Sequence, residues 1–166
     1  MTALTDSLAE GAVQAVLEAG ELLTDPAAVQ SIRSKGETDY VTNVDVAVQA
    51  FLRERLAALA PDVQFMGEEQ DNSALDLTRP CWILDPVDGT TNLIHNFRHS
   101  AISLALAEGG QIIFGVVYNP YTEECFAACR GGGAFRNGVS IQVSAVSAGG
   151  QPSVHRHRSR PPGAGG

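Results

Sequence analysis

The chain has 166 residues, 44% of them hydrophobic, and a net charge of −8. That is enough for one compact domain with its own core, and no apolar run approaches the length of a membrane span. Eight basic and nineteen acidic residues give residues 1–150 a charge of −11, while three arginines give the remainder +3; so acidic a body disfavours nucleic acid as a partner.

Met1-Thr2-Ala3-Leu4-Thr5-Asp6 lacks a basic start followed by an apolar stretch, so no secretory signal is read there. Cys81, Cys125 and Cys129 are odd in number and sit in strand-like contexts. They read as reduced thiols of a cytoplasmic protein.

Apolar residues from Leu4 through Leu23 recur at helical spacing, with Thr5 or Asp6 as the cap and Asp25-Pro26 as the stop. Ser34-Lys35-Gly36-Glu37-Thr38-Asp39 is a polar loop, and Tyr40-Val41 reads as a short strand. A second helix is expected over roughly 43–60, capped by Thr42 or Asn43 and halted by Pro61. Beyond residue 63 the period shifts toward two. Strands are expected at Val63-Gln64-Phe65-Met66, Cys81-Trp82-Ile83-Leu84, 102–106, 112–118, 124–129 and 140–143. Glu108-Gly109-Gly110 and Arg136-Asn137-Gly138 mark tight turns. The fold class is α+β: a mostly antiparallel sheet with two helices packed on one face. Residues 1–147 form this domain, and 148–166, rich in Gly, Pro and Arg, form a disordered tail.

Chemistry concentrates in Trp82-Ile83-Leu84-Asp85-Pro86-Val87-Asp88-Gly89-Thr90-Thr91-Asn92. An apolar run ends in two aspartates three positions apart. Alone, these would pass for an Asx-rich turn. Gly67-Glu68-Glu69 also follows a strand, and if the two strands are neighbours, Glu68, Asp85 and Asp88 share one small volume. Bare carboxylates that close repel, and a divalent cation relieves the repulsion. Hard oxygen ligands, the Val87 carbonyl included, suit Mg²⁺. Gly89 and Thr90 open a short helix whose N–H groups face a phosphate, or are merely capped by Thr or Asp. Asp45 either complements the dipole of its helix or works with Thr90 on an attacking water. Lys35, the sole lysine, is a solvated loop cation or a neighbour of phosphate or of a third metal. Gly131-Gly132-Gly133 lacks the lysine and helix of a phosphate loop. His95 and His99 lack a companion acid at metal-binding spacing.

These blocks, with Val41-Thr42-Asn43-Val44-Asp45, Gly115-Val116-Val117-Tyr118-Asn119-Pro120 and Arg130-Gly131-Gly132-Gly133-Ala134-Phe135-Arg136-Asn137-Gly138, resemble the inositol monophosphatase family of magnesium-dependent, lithium-sensitive phosphatases over roughly residues 4–146. The resemblance implies the N-terminal layer of the sugar-phosphatase αβαβα fold. It implies Mg²⁺ held by Glu68, Asp85 and the Val87 carbonyl, a second ion shared by Asp85 and Asp88, and Glu68 reaching a third. It assigns Asp45, Glu69 and Thr90 to the water nucleophile, and Asp88, Gly89 and Thr90 to the substrate phosphate. The implied reaction is hydrolysis of inositol monophosphate to inositol and phosphate by a cytoplasmic homodimer. Nothing in the chain matches the family's later Trp-Asp-x-Ala-Gly motif. The expectation is therefore a truncated form of reduced activity that needs a complementing half. The alternatives are a phosphatase for histidinol phosphate or fructose bisphosphate, and an inactive remnant that serves as a binding or assembly module.

Overall fold

The computed structural model describes residues 4–33, 40–68, 70–94 and 97–144, without the side chains of Arg33, Tyr40, Val41, Thr42 and Ile94. Lys35, Glu69, His95 and the whole expected tail lie outside the described residues.

Helix α1 (Asp6–Thr24) begins where the Thr5 hydroxyl accepts the Leu8 N–H at 3.1 Å. Its inward stripe is Leu8, Ala12, Ala15, Val16, Ala19 and Leu23. Asp25 ends α1 by donating its N–H to the Glu21 carbonyl. Its carboxylate also accepts the Ala28 N–H at 3.1 Å and so caps a further helix, α2 (Pro26–Arg33). The proline read above only as a stop is the first residue of α2, where its missing N–H costs nothing. Helix α3 spans Tyr40–Leu59. Tyr40-Val41 is therefore helical rather than a strand, and neither Thr42 nor Asn43 is the cap. Val44, Val48, Leu52 and Leu56 are wholly buried along α3, and packing this stripe outweighs the strand preference of two residues.

Among the described residues seven strands form one sheet in chain order: β1 (Gln64–Gly67), β2 (Cys81–Asp88), β3 (Ala101–Glu108), β4 (Gln111–Asn119), β5 (Glu124–Cys129), β6 (Gly133–Arg136) and β7 (Val139–Ile141). Only β1 and β2 run parallel, and every other pair is antiparallel. Strand β6 was not anticipated, because four residues opening on glycine carry little periodicity. Gly109 and Gly110 have positive φ at the β3–β4 turn, as do Asn137 and Gly138 at the β6–β7 turn, which is what two-residue hairpin turns require.

Helices α1 and α3 pack against each other and cover one face of the sheet. Leu84, Leu104, Val116 and Ala127 lie in one cross-strand row on that face, and Trp82, Leu106, Phe114 and Cys129 in the next. Trp82 and Phe114 meet edge to face, with ring centroids 6.3 Å apart. On the opposite face the row is Asp85, Ser103, Val117, Phe126, Arg136 and Val139. No helix among the described residues covers that row, and Val117, Phe126 and Val139 are exposed. All three cysteines are free, with Cys81 and Cys125 buried. Among the described residues no helix is long and apolar enough to cross a membrane.

Candidate active site

Strand β2 does not stop at Leu84; it continues through Asp88 with a break in register. Asp85 pairs with Ser103 and Asp88 with Ala101, so three steps along β2 match two along β3. The surplus residue makes a bulge at Pro86-Val87, where proline has no N–H to give the ladder. In a regular strand, residues three apart face opposite sides. Because Ser103 and Ala101 face the same side, the bulge turns both aspartates onto the open face.

Parallel pairing of β1 and β2 sets Gly67 beside Leu84, so the next residues on each, Glu68 and Asp85, come level with each other just beyond the last pair. Burial first, then the negative charges of Asp88 and Glu68, push the Asp85 carboxyl above the usual carboxylate range, with the Val87 N–H pulling back. These three carboxylates therefore share one end of the sheet and feel one another. The backbone near Glu68 is pinned from the loop beyond it. Gln70 Nε2 donates to the Phe65 carbonyl at 2.7 Å, and Asn72 Nδ2 donates to the Gly67 carbonyl at 2.7 Å. Gln49 of α3 presses on Gly67 so closely that a Cβ there would lie 2.4 Å from its Oε1. Gln49, Gln70 and Asn72 were not singled out from the sequence. The only signal for Gln70 and Asn72 was polar side chains next to Gly-Glu-Glu, and Gln49, on another element, left none.

After Asp88 comes Gly89 at φ +85°, then the short helix α4 (Thr90–Ile94). The Gly89 carbonyl accepts the N–H groups of Asn92 and Leu93, at 2.9 and 3.2 Å, and the Ser100 hydroxyl at 3.1 Å. The N–H groups of Gly89 and Thr90 precede these donors and have no place in the helix ladder. The Thr90 hydroxyl donates to the Val87 carbonyl at 3.2 Å, and Asn92 Nδ2 donates to the His99 carbonyl at 2.8 Å. Ser100, buried and locked onto Gly89, is another positioning residue that periodicity did not flag. Asp45 is half-buried on α3, which touches both β2 and α4. Lys35, Glu69 and His95 lie outside the described residues.

The donors at this end of the sheet are carboxylate and carbonyl oxygens, which suit a hard divalent cation. The charge that Asp85 feels from Asp88 and Glu68 is what such a cation would neutralise. Among the described residues, however, no group of three or more His, Cys, Asp or Glu side chains is drawn together closely enough to hold a metal ion.

The sequence profile of the inositol monophosphatase family matches residues 4–161. The chain belongs to this family. An inositol monophosphatase family relative from Rhizobium meliloti (strain 1021), named inositol-1-monophosphatase, is 42% identical over 139 residues, 82% of this chain and 52% of its own. The inositol monophosphatase of Mesembryanthemum crystallinum is 41% identical over 145 residues, covering 85% of this chain and 53% of its own. Among solved structures, the native crystal structure of the extragenic suppressor protein suhB from Bartonella henselae superposes with a TM-score of 0.73 at 34% identity, covering 85% of this chain and 56% of that one. The chain spans about half the length of the inositol monophosphatases it matches. Both the acidic strand end and the Gly89 turn lie inside the matched residues.

Proposed function

We propose that this chain supplies the cation- and phosphate-binding layer of a Mg²⁺-dependent phosphomonoester hydrolase, with inositol monophosphate as substrate. The observation that carries the reading is the β2 bulge, which turns Asp85 and Asp88 to one face beside Glu68. The names of the relatives support the substrate class.

In this reading Glu68, Asp85 and the Val87 carbonyl would hold one Mg²⁺, Asp85 with Asp88 a second, and Glu68 would reach a third. A bound cation supplies charge that offsets the phosphate and makes a coordinated water easier to deprotonate. The chain's own residues do the rest. The N–H groups of Gly89 and Thr90 hold phosphate oxygens. The Thr90 hydroxyl donates a hydrogen bond to the Val87 carbonyl, so its oxygen is left to accept a hydrogen bond from water. Asp45 and Glu69 orient that water, and Lys35 stands near the phosphate or third ion. The working form is a soluble cytoplasmic dimer.

The experiment is titration of Mg²⁺ against hydrolysis of inositol 1-phosphate, with histidinol phosphate and fructose bisphosphate alongside, for the wild-type chain and Asp88→Asn. Phosphate release that depends on Mg²⁺ and is lost in Asp88→Asn supports the reading. Equal turnover by both proteins refutes the metal role. The open face beside Asp85 favours a second reading, a cation-binding layer without turnover of its own. Calorimetric Mg²⁺ binding that Asp88→Asn abolishes, in a chain that releases no phosphate, would select it.

A further inference from the structure

On the side that carries α1 and α3, the sheet is wider than its helices. Seven strands span about 29 Å, whereas two packed helices cover about 20 Å. Helix α1 packs on β3, β4 and β5. Phe135 of β6 stands beyond them in the same cross-strand row as Leu104, Val116 and Ala127, and is 39% exposed. Between Phe135 and the flank of α1 runs a groove of about 840 Å³. Ala9, Val13 and Leu17, one turn apart on α1, wall it on one side, and Ala127 and Phe135 on the other. An apolar trough of this kind is an unpartnered surface.

The rim of the groove has one sign of charge. Asp6 and Glu10 stand one turn apart along α1 beside the Cys129 end of β5, and Glu123 precedes its other end. Among the described residues no basic side chain lines the groove, and none of these three acids has an ion-pair partner. Their field reaches inside. Burial and then the Asp6 charge push the Cys129 thiol up, and burial and then Glu123 do the same to the Tyr118 hydroxyl. Such a trough fits a basic segment, and the chain carries one: Arg156, Arg158 and Arg160 give the residues after 150 their charge of +3 against −11 for the rest. Alternate residues of an extended segment fall on one side about 6.6 Å apart. That is close to the spacing of about 5–6 Å between side chains one helical turn apart. Two of the arginines can therefore meet Asp6 and Glu10 together, with their methylene stems along the apolar wall. A second copy of the chain would instead bring a like-charged body to the same rim.

We propose that residues 154–160 dock in the groove between α1 and β5–β6, with the arginines on Asp6 and Glu10. The segment is within reach. Strand β7 lies two strand spacings from β5, about 10 Å. Arg156 is twelve residues beyond Ser144, which allows up to about 40 Å. Ion pairs at a rim are weak singly, but the tether gives the segment an effective concentration on the order of millimolar. The groove is on the opposite face of the sheet from Asp85, so this docking does not depend on what the carboxylates there bind.

The test is disulfide trapping in the full 166-residue chain. Cys129 lines the groove and is the one cysteine that is not buried. Ser159 falls on the other side of the segment from the arginines, toward the sheet. Ser159→Cys, treated with oxidised glutathione in dilute solution, should form an intramolecular disulfide with Cys129, read by peptide mass spectrometry. Its yield should fall at least about fivefold between about 20 mM and about 0.5 M NaCl. Asp6→Lys/Glu10→Lys should lower the low-salt yield as much, and adding Arg156→Glu/Arg158→Glu/Arg160→Glu should restore it. Asp62→Lys, at an exposed position away from the groove, should leave it unchanged. No disulfide, a yield indifferent to salt and to charge reversal, a charge swap that restores nothing, or trapping confined to concentrations at which light scattering shows a dimer would each overturn the proposal.

Discussion

Asp85 and Asp88 stand three residues apart yet face the same side of the sheet, because β2 carries one residue more than β3 between them. Their mutual repulsion, with that of Glu68, is a cost the fold sustains without a cation. Asp85 is held above its usual carboxyl pKa in the folded chain. The native state thus binds its proton more tightly than the unfolded state does. The resulting destabilisation is absent below the unfolded value of 3.8, grows as pH rises through the raised folded value, and is complete above it. Asp85→Asn should therefore melt higher than wild type at pH 7 in chelator, by roughly 1–3 °C after allowing for solvent screening. The gap should close toward pH 4. Millimolar Mg²⁺ should raise the melting temperature of wild type and leave the variant unmoved. Thermal melts across pH, with and without Mg²⁺, check both halves, and a variant less stable than wild type at pH 7 would contradict the assignment.

That relationship also marks how far the sequence could be read. The apolar run, the two aspartates and the glutamate after Gly67 were legible as residue types at strand ends. Their common face was not, since strict alternation puts positions three apart on opposite sides, and a bulge is a matter of partner-strand register. The two long helices followed from their apolar spacing. Tyr40-Val41 misled because local strand preference lost to the packing of α3. Helix α2 was missed because Pro26 fits a helix start as well as a helix stop. Strand β6 is too short for a period to show. Gln49, Asn92 and Ser100 owe their places to contacts between elements that no local pattern encodes.

The approach of α3 to β1 makes a second test. A methyl group on Gly67 would meet the buried Gln49 side chain, which reaches over that glycine. Gly67→Ala should cost about 1–2 kcal/mol by displacing a buried amide from its partners. It should also shift Glu68 and weaken Mg²⁺ binding. Shortening the obstacle in Gln49→Ala/Gly67→Ala should recover part of the stability, so urea unfolding of the double-mutant cycle should give a coupling of at least about 0.5 kcal/mol. Additive losses would show that the contact does not set the position of Glu68.

Trp82 anchors β2 from the helix side, wholly buried and edge-on to Phe114. Truncating it removes the largest side chain in the core directly behind the acidic strand. Trp82→Ala should cost about 3–5 kcal/mol, a large part of what holds a domain of this size together. Urea unfolding followed by far-UV circular dichroism would show the midpoint fall. Trp82→Phe should retain most of the stability and all of the cation binding.

The turn after Asp88 permits a cleaner separation of backbone strain from site geometry. Gly89 has φ +85°, and a Cβ there would lie 3.0 Å from the His99 carbonyl oxygen and 3.2 Å from the Asn92 amide that bonds to it. Gly109 in the β3–β4 turn also has positive φ, +57°, but a Cβ there meets nothing within 4 Å. Alanine at either position bears the left-handed penalty of about 1–2 kcal/mol. Only at Gly89 must it also break the Asn92–His99 clamp, which adds about 1 kcal/mol and turns the Gly89 and Thr90 N–H groups off their line. Gly89→Ala should therefore unfold at lower urea than Gly109→Ala and lose affinity for inorganic phosphate in the presence of Mg²⁺ at least tenfold, whereas Gly109→Ala should bind phosphate like wild type. Calorimetric titration of the two variants decides it: equal phosphate affinity in both would mean that the Gly89 turn does not form the anion site.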